Sequence, residues 1–135
     1  FSLGKLDVAE QRLRGSLTVH RQRHGDDDLR TLRVQLDLVC VLLARGQVDA
    51  AEALLTPATA VLASLPEARV LRDTATLHRA ELHRARGDRA AAAALLRPLV
   101  ERQRAEQPED RDTLLAANLL AGVLHEQGDL DSAEP

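Results

Sequence analysis

The sequence predicts an all-α fold built from repeated antiparallel helix pairs. Three observations carry this prediction. Ala and Leu, the strongest helix formers, supply much of an apolar content of 44%. Gly4, Gly46, Gly87 and Gly128 stand 42, 41 and 41 residues apart, and a fixed period in this range marks a repeat architecture. On the same grid, Ala9, Ala51, Ala92 and Ala133 fall five residues after each Gly. Leu13, Leu55 and Leu96 fall nine after, and Val39, Ala80 and Ala121 fall seven before.

Each period reads as a first helix, A, and a second helix, B. The reading expects B over 6–23, A over 28–45, B over 48–65, A over 67–86, B over 88–106 and A over 109–127, followed by the start of a further B helix. Val48, Ala51, Leu55, Ala58, Leu62 and Leu65 step by three or four and form one apolar face of a B helix,. The run "LRTLRVQLDLVCVLLARG" is apolar on nearly all sides, so this A helix is expected to be central. Each Gly suits the left-handed residue that ends a helix. The acid shortly after it favours the next helix start through the dipole and capping. The A-to-B turns are therefore placed at Gly4, Gly46, Gly87 and Gly128. The stretches "HGDDDL", "SLPEAR" and "EQPEDRDTL" suit the B-to-A connections, with Asp caps and Pro near the first turn,.

Pro57 and Pro98 each fall eleven residues after their Gly, inside B helices, and Gly15 holds the same slot in the first unit. A proline in a helix interior costs about 3 kcal/mol or more. Two readings stand: a bend or break that curves each B helix around its A helix, or unrelated tolerated substitutions.

Composition bounds the function. The formal net charge is -3 and Phe1 is the only aromatic residue. A nucleic-acid binder would show a basic stripe or stacking rings, so no nucleic-acid partner is expected. No apolar run approaches the roughly 18–20 residues of a membrane span, and no signal-peptide pattern opens the chain, so a cytoplasmic protein with no membrane partner is expected. Cys40, the single cysteine, sits in "LDLVCVLLA" and reads as a small buried hydrophobe. The chain has no Met and starts with Phe. The reading therefore expects a slice of a longer repeat array.

Chemistry-bearing patterns are sparse. Phosphate-loop and nucleophile-elbow motifs are absent, as is Cys-x-x-Cys,. His20 and His24 share one helix face and are the best metal candidate, but no third ligand is evident. Asp26, Asp27 and Asp28 lack the alternating oxygens of a calcium loop and read as a helix-start cluster. His78 and His83 diverge around their helix, and His125 stands alone. No enzyme activity, metal or cofactor is expected.

The columns Val39/Ala51/Leu55, Ala80/Ala92/Leu96 and Ala121/Ala133 resemble those of tetratricopeptide repeats. A small residue in A, a small residue in B twelve positions later and a large apolar residue beyond let the helices approach closely. The period is similar to the long variant of kinesin light chains and of many bacterial multi-repeat proteins. "DRDTLLAANLLAGVLHEQGDLDSAEP" carries the closest likeness. The family's aromatic positions hold Leu42, His83 and Leu124 instead, and Arg79 and His83 fall where apolar residues are expected, so the Arg79 head is expected to reach solvent. The resemblance covers essentially the whole chain and implies a right-handed α-solenoid of about three units, truncated at both ends.

It also implies a concave groove lined by A helices that binds a protein or peptide. Carried over by column, the groove residues are Arg33, Leu36, Cys40 and Leu43, then Leu77, Glu81 and Arg84, then Asn118, Gly122 and His125, with Thr74 and Leu115 in the outermost column. Asn118 matches an Asn that clamps a peptide backbone, since an amide both donates and accepts. The alternatives are packing within a larger assembly, and a sensor or autoinhibitory segment of a larger bacterial signalling protein such as an NTPase, kinase or transcription regulator. Uncapped repeat ends also imply end-to-end self-association.

Overall fold

In a computed structural model of the chain, residues 3–106 and 109–133 are described. They form α1 (Leu3–His24), α2 (Leu29–Ala44), α3 (Val48–Ala63), a 3-10 turn (Pro66–Ala68), α4 (Arg69–Ala85), α5 (Arg89–Glu106) and α6 (Arg111–Ala133). No strand occurs among the described residues. The expected pieces "FS", Gln107–Pro108 and the closing Glu134–Pro135 lie outside them. The chain forms two compact units that divide after His78, within α4.

The first unit is organised by α2. Leu32, Leu36, Leu38, Val39 and Leu42 are all buried, although Leu36 and Leu38 face nearly opposite sides of a helix. Burying both sides requires two covering helices, and α1 and α3 both pack on α2. From α1 comes Leu17, and from α3 come Ala51, Leu55, Ala58 and Leu62, one face at helical spacing,. Two buried polar side chains on α2 tie the layers together. Thr31 donates its hydroxyl to the His20 carbonyl of α1 at 3.2 Å. Gln35 donates its amide to the Leu54 carbonyl of α3 at 2.7 Å, while its oxygen accepts from Arg21 of α1 at 3.5 Å.

The two A-to-B turns inside the described chain are built alike. Gly46 has φ +76° and Gly87 has φ +82°, the left-handed region that favours glycine. At the first, Gly46 N donates to Leu43 O and Gln47 N to Leu42 O. At the second, Gly87 N donates to Arg84 O and Asp88 N to His83 O. These paired bonds satisfy carbonyls that the helix end would leave open. Asp28 caps α2, accepting from Arg30 N at 2.8 Å, and Asp88 caps α5, accepting from Ala91 N at 3.1 Å. Gln47 stands before α3 without a side-chain cap bond.

Two expected turns are not made. Gly4 lies in the first turn of α1, and Gly128 lies within α6, which continues to Ala133. Beyond Gly128 the chain adds helical hydrogen bonds instead. α3 and α5 also run unbroken through Pro57 and Pro98, which sets aside a break at either proline. Both prolines are exposed, as are Ala53 and Ala94, whose carbonyls lose the proline donor, so water can satisfy them.

In the second unit α5 packs on α6. Its buried residues include Ala80, Leu82, Ala92, Leu96, Val100, Ala116 and Val123. The Ala and Leu columns of the period are thus interior at Ala51, Leu55, Ala92 and Leu96.

Replacing Gly46 by Ala forces a side chain into the left-handed region in otherwise open space and is expected to cost about 1 kcal/mol. Gly128→Ala, in a helix interior, is expected to add about 0.5–1 kcal/mol. Urea unfolding of both variants checks the pair, and equal signs would contradict the assignment of one as turn and the other as helix. Gln35→Met keeps the volume and removes the bond to Leu54 O. It is expected to destabilise the chain by about 1–3 kcal/mol through the orphaned carbonyl, read from the same unfolding curves.

Candidate functional site

Helical spacing sets the open row of α2. Arg33, Asp37, Cys40 and Ala44 lie one turn apart on a single face, and all four are exposed,. Two of the expected groove residues, Arg33 and Cys40, therefore meet solvent. Leu43 and Leu77 are half-buried. Leu36 is 1% exposed and belongs to the core, which corrects its placement in the groove: it shares its side of the helix with buried Leu32 and Val39. Cys40 corrects the opposite expectation. Its apolar neighbours Leu38, Val39 and Leu42 take the interior positions, and the Cys40 side, in no disulfide, is exposed.

At the N-terminal ends of α2 and α4, still within the first unit, lies an open cleft of about 270 Å³. Its apolar lining is Leu29, Ala68, Val70 and Leu71, with Arg30, Arg33 and Glu67 alongside. Val70 is 63% exposed. Arg30 is engaged elsewhere: its guanidinium grips both oxygens of Asp28 at 3.0 and 3.1 Å. Those bonds, with the Arg30 backbone N–H, hold the Asp28 carboxyl down to about 2. Arg33 is exposed as well, with Asp37 one turn along α2 within its electrostatic reach. The sequence reading chose Arg33 but missed the cleft, because Pro66–Ala68 and the start of α4 supply its other wall.

In the second unit one expected groove residue, Arg84, bonds a carboxylate that the sequence reading did not select. Arg84 donates Nε to Glu126 Oε1 at 2.9 Å, and its terminal nitrogen also bonds that oxygen. Arg89 donates Nε to Glu126 Oε2 at 3.0 Å. The Arg84 guanidinium lies over Gly122, 3.6 Å from where a Cβ would stand. Arg84 is thus held by an internal ion pair and is not free to grip a ligand carboxylate. Its 42-residue separation from Glu126 matches the period, a signal that an ion-pair search at one repeat length would have found. The hydrogen bonds from Arg84 and then Arg89 lower the Glu126 pKa. Burial raises the Glu81 pKa, with Arg84 partly opposing. Asn118 and His125 are exposed, and Glu81 and Gly122 are half-buried. Leu115 of the outermost column is exposed, and Thr74, in the first unit, is half-buried.

The histidines are placed apart. His20 and His24 have ring centroids 5.7 Å apart, and His20 Nδ1 sits 2.8 Å from the Ser16 carbonyl. Among the described residues no group of three or more His, Cys, Asp or Glu is placed to hold a metal ion. His78 is buried and burial pushes its pKa down to about 4, so its ring is neutral at physiological pH. Arg79, expected to reach solvent, is half-buried. No described helix is long and apolar enough to cross a membrane. Compared with protein-family models, curated proteins and solved structures, the chain matches none.

The two carboxylates of the second unit carry opposite pH signatures. The lowered Glu126 contributes stability above the ordinary glutamate value of 4.5, and that contribution is lost as pH falls through its folded value. The raised Glu81 disfavours the fold while ionised and is relieved as pH falls through its raised value. Glu126→Gln is therefore expected to be less stable than the wild type at neutral pH, and Glu81→Gln more stable. Both differences are expected to close on acidification, which urea unfolding over a pH series measures.

Proposed function

We propose that the chain is a tetratricopeptide-type scaffold that binds a protein or peptide partner through the exposed faces of its A helices. The observation that carries this reading is the cleft between Leu29, Ala68 and Leu71 with Arg33 and exposed Val70 beside it. Its volume suits one or two side chains of an extended segment, not a whole cofactor. An aliphatic side chain enters the cleft, and an acidic neighbour meets Arg33. Cys40 and the rest of the open α2 row extend the same face. Arg84 is a structural residue in this reading, so the contacts belong to Arg33 and Val70 of the first unit.

Peptides selected from a displayed random library against the 135-residue chain provide the test. They are expected to be enriched in a large aliphatic residue next to Asp or Glu. Val70→Glu, at an exposed position, is expected to weaken them about tenfold or more, since losing burial of one aliphatic side chain costs about 1.5–3 kcal/mol. Arg33→Ala is expected to weaken binding mainly at low salt. Selected peptides that bind both variants as tightly as the wild type would remove the cleft from the function.

A further inference from the structure

The open row of α2 carries its charges in a fixed order, and the row begins at the cleft. Arg33 lines the cleft together with Leu29, Val70 and Leu71. Asp37 follows one turn further along the same exposed face, and then Cys40 and Ala44,. Other cations near the cleft are engaged within the chain. Arg30 grips Asp28, and Arg72 donates to the Pro66 carbonyl at 3.3 Å. Glu67 also borders the cleft, so an acidic side chain is repelled on the side of the 3-10 turn and drawn to Arg33 on the side of α2.

Arg33 and Asp37 do not use each other up. A cation four residues before an acid is the weaker order for a helical ion pair. Burial raises the Asp37 pKa, and Arg33 only partly opposes it. A carboxylate in that state gains from a second cation. Spacing then fixes where such a cation must come from. Positions four apart on a helix are separated by a rise of about 6 Å. Positions two apart on an extended chain are separated by about 6.6–6.8 Å, and their side chains point to the same side.

We infer that the cleft and the open row of α2 together read an extended segment in the order aliphatic, acidic, any residue, basic, with the acid on Arg33 and the base on Asp37. This rests on the peptide-binding reading above and adds to it a second charged position and an order along α2. Charge complementarity selects the occupant. A segment with its two charges exchanged sets a base against Arg33 and an acid against Asp37. A purely acidic segment gains at Arg33 and loses at Asp37. All the residues involved lie in the first unit.

Fluorescence anisotropy with two labelled peptides tests the order. One contains Leu-Glu-Ala-Lys and the other Leu-Lys-Ala-Glu, with the same flanking residues. Their composition and net charge are equal, so general attraction cannot separate them. The wild-type chain is expected to bind the first about tenfold more tightly at low salt, and added salt narrows the gap. Arg33→Glu combined with Asp37→Arg, both at exposed positions, is expected to invert the preference with unchanged helical circular dichroism. Asp37→Asn, nearly isosteric, serves where the double variant folds poorly and is expected to narrow the preference about threefold. A first peptide extended so that a thiopyridyl-activated cysteine stands two residues beyond the Lys is expected to label Cys40 about tenfold faster than one with that cysteine two residues before the Leu. Equal binding of both peptides, each still weakened by Val70→Glu, would overturn the charge order and leave the cleft reading standing. Equal labelling rates would also overturn the order along α2. Binding of neither peptide would remove both readings.

Discussion

Burial of α2 on both sides is the constraint on which the first unit depends. Leu36 and Leu38 point in nearly opposite directions and are both interior, so one neighbouring helix cannot suffice. The chain must reverse before α2 and again after it, and Gly25 and Gly46 both adopt positive φ at those reversals. Burying each Leu contributes about 1.5–3 kcal/mol. That scale also explains why α3 tolerates Pro57. The proline costs about 3 kcal/mol of helix propensity, while Leu55, Ala58 and Leu62 around it seal the α2 face completely. Packing outweighs propensity, and the helix stays continuous.

Polar groups then fix the arrangement that apolar burial alone leaves loose. Thr31 and Gln35 satisfy backbone carbonyls on α1 and α3 from one helix. In the second unit the corresponding work falls to charges, with Arg84 and Arg89 sharing Glu126. These side chains are about a third exposed, and solvent screening leaves such pairs little weight in stability. Their larger effect is positional. They draw Arg84 across Gly122 and so remove from the A-helix face the cation that looked best suited to a ligand.

Helix order, the Gly46 and Gly87 turns and the columns Ala51, Leu55, Ala92 and Leu96 were legible in the sequence. Each depends on local preference or helical spacing. The groove residues were legible only in part. Spacing by column put Leu36 beside Arg33, yet the two positions, about 60° apart on the helix, straddle the edge between the interior and the open face of α2. Cys40 misled for the reverse reason: an apolar stretch of sequence need not be buried on every side. Glu126 escaped notice because its importance comes from two arginines brought to it by folding. The cleft beside Val70 escaped because one of its walls is a 3-10 turn that no period announces.

The sequence by itself determined that this chain is helical, where its helices lie and which turns reverse it at Gly46 and Gly87. Those features follow from residue propensity, hydrophobic spacing and the freedom of glycine at positive φ. Tertiary structure decided the rest. It kept α6 helical through Gly128 although the sequence repeats its turn motif there. It placed Leu36 inside and Cys40 outside, and tied Arg84 to Glu126. The reason is common to all three. A residue's exposure and its partners depend on which helix comes to lie against it, and that is a property of packing, not of the local chain.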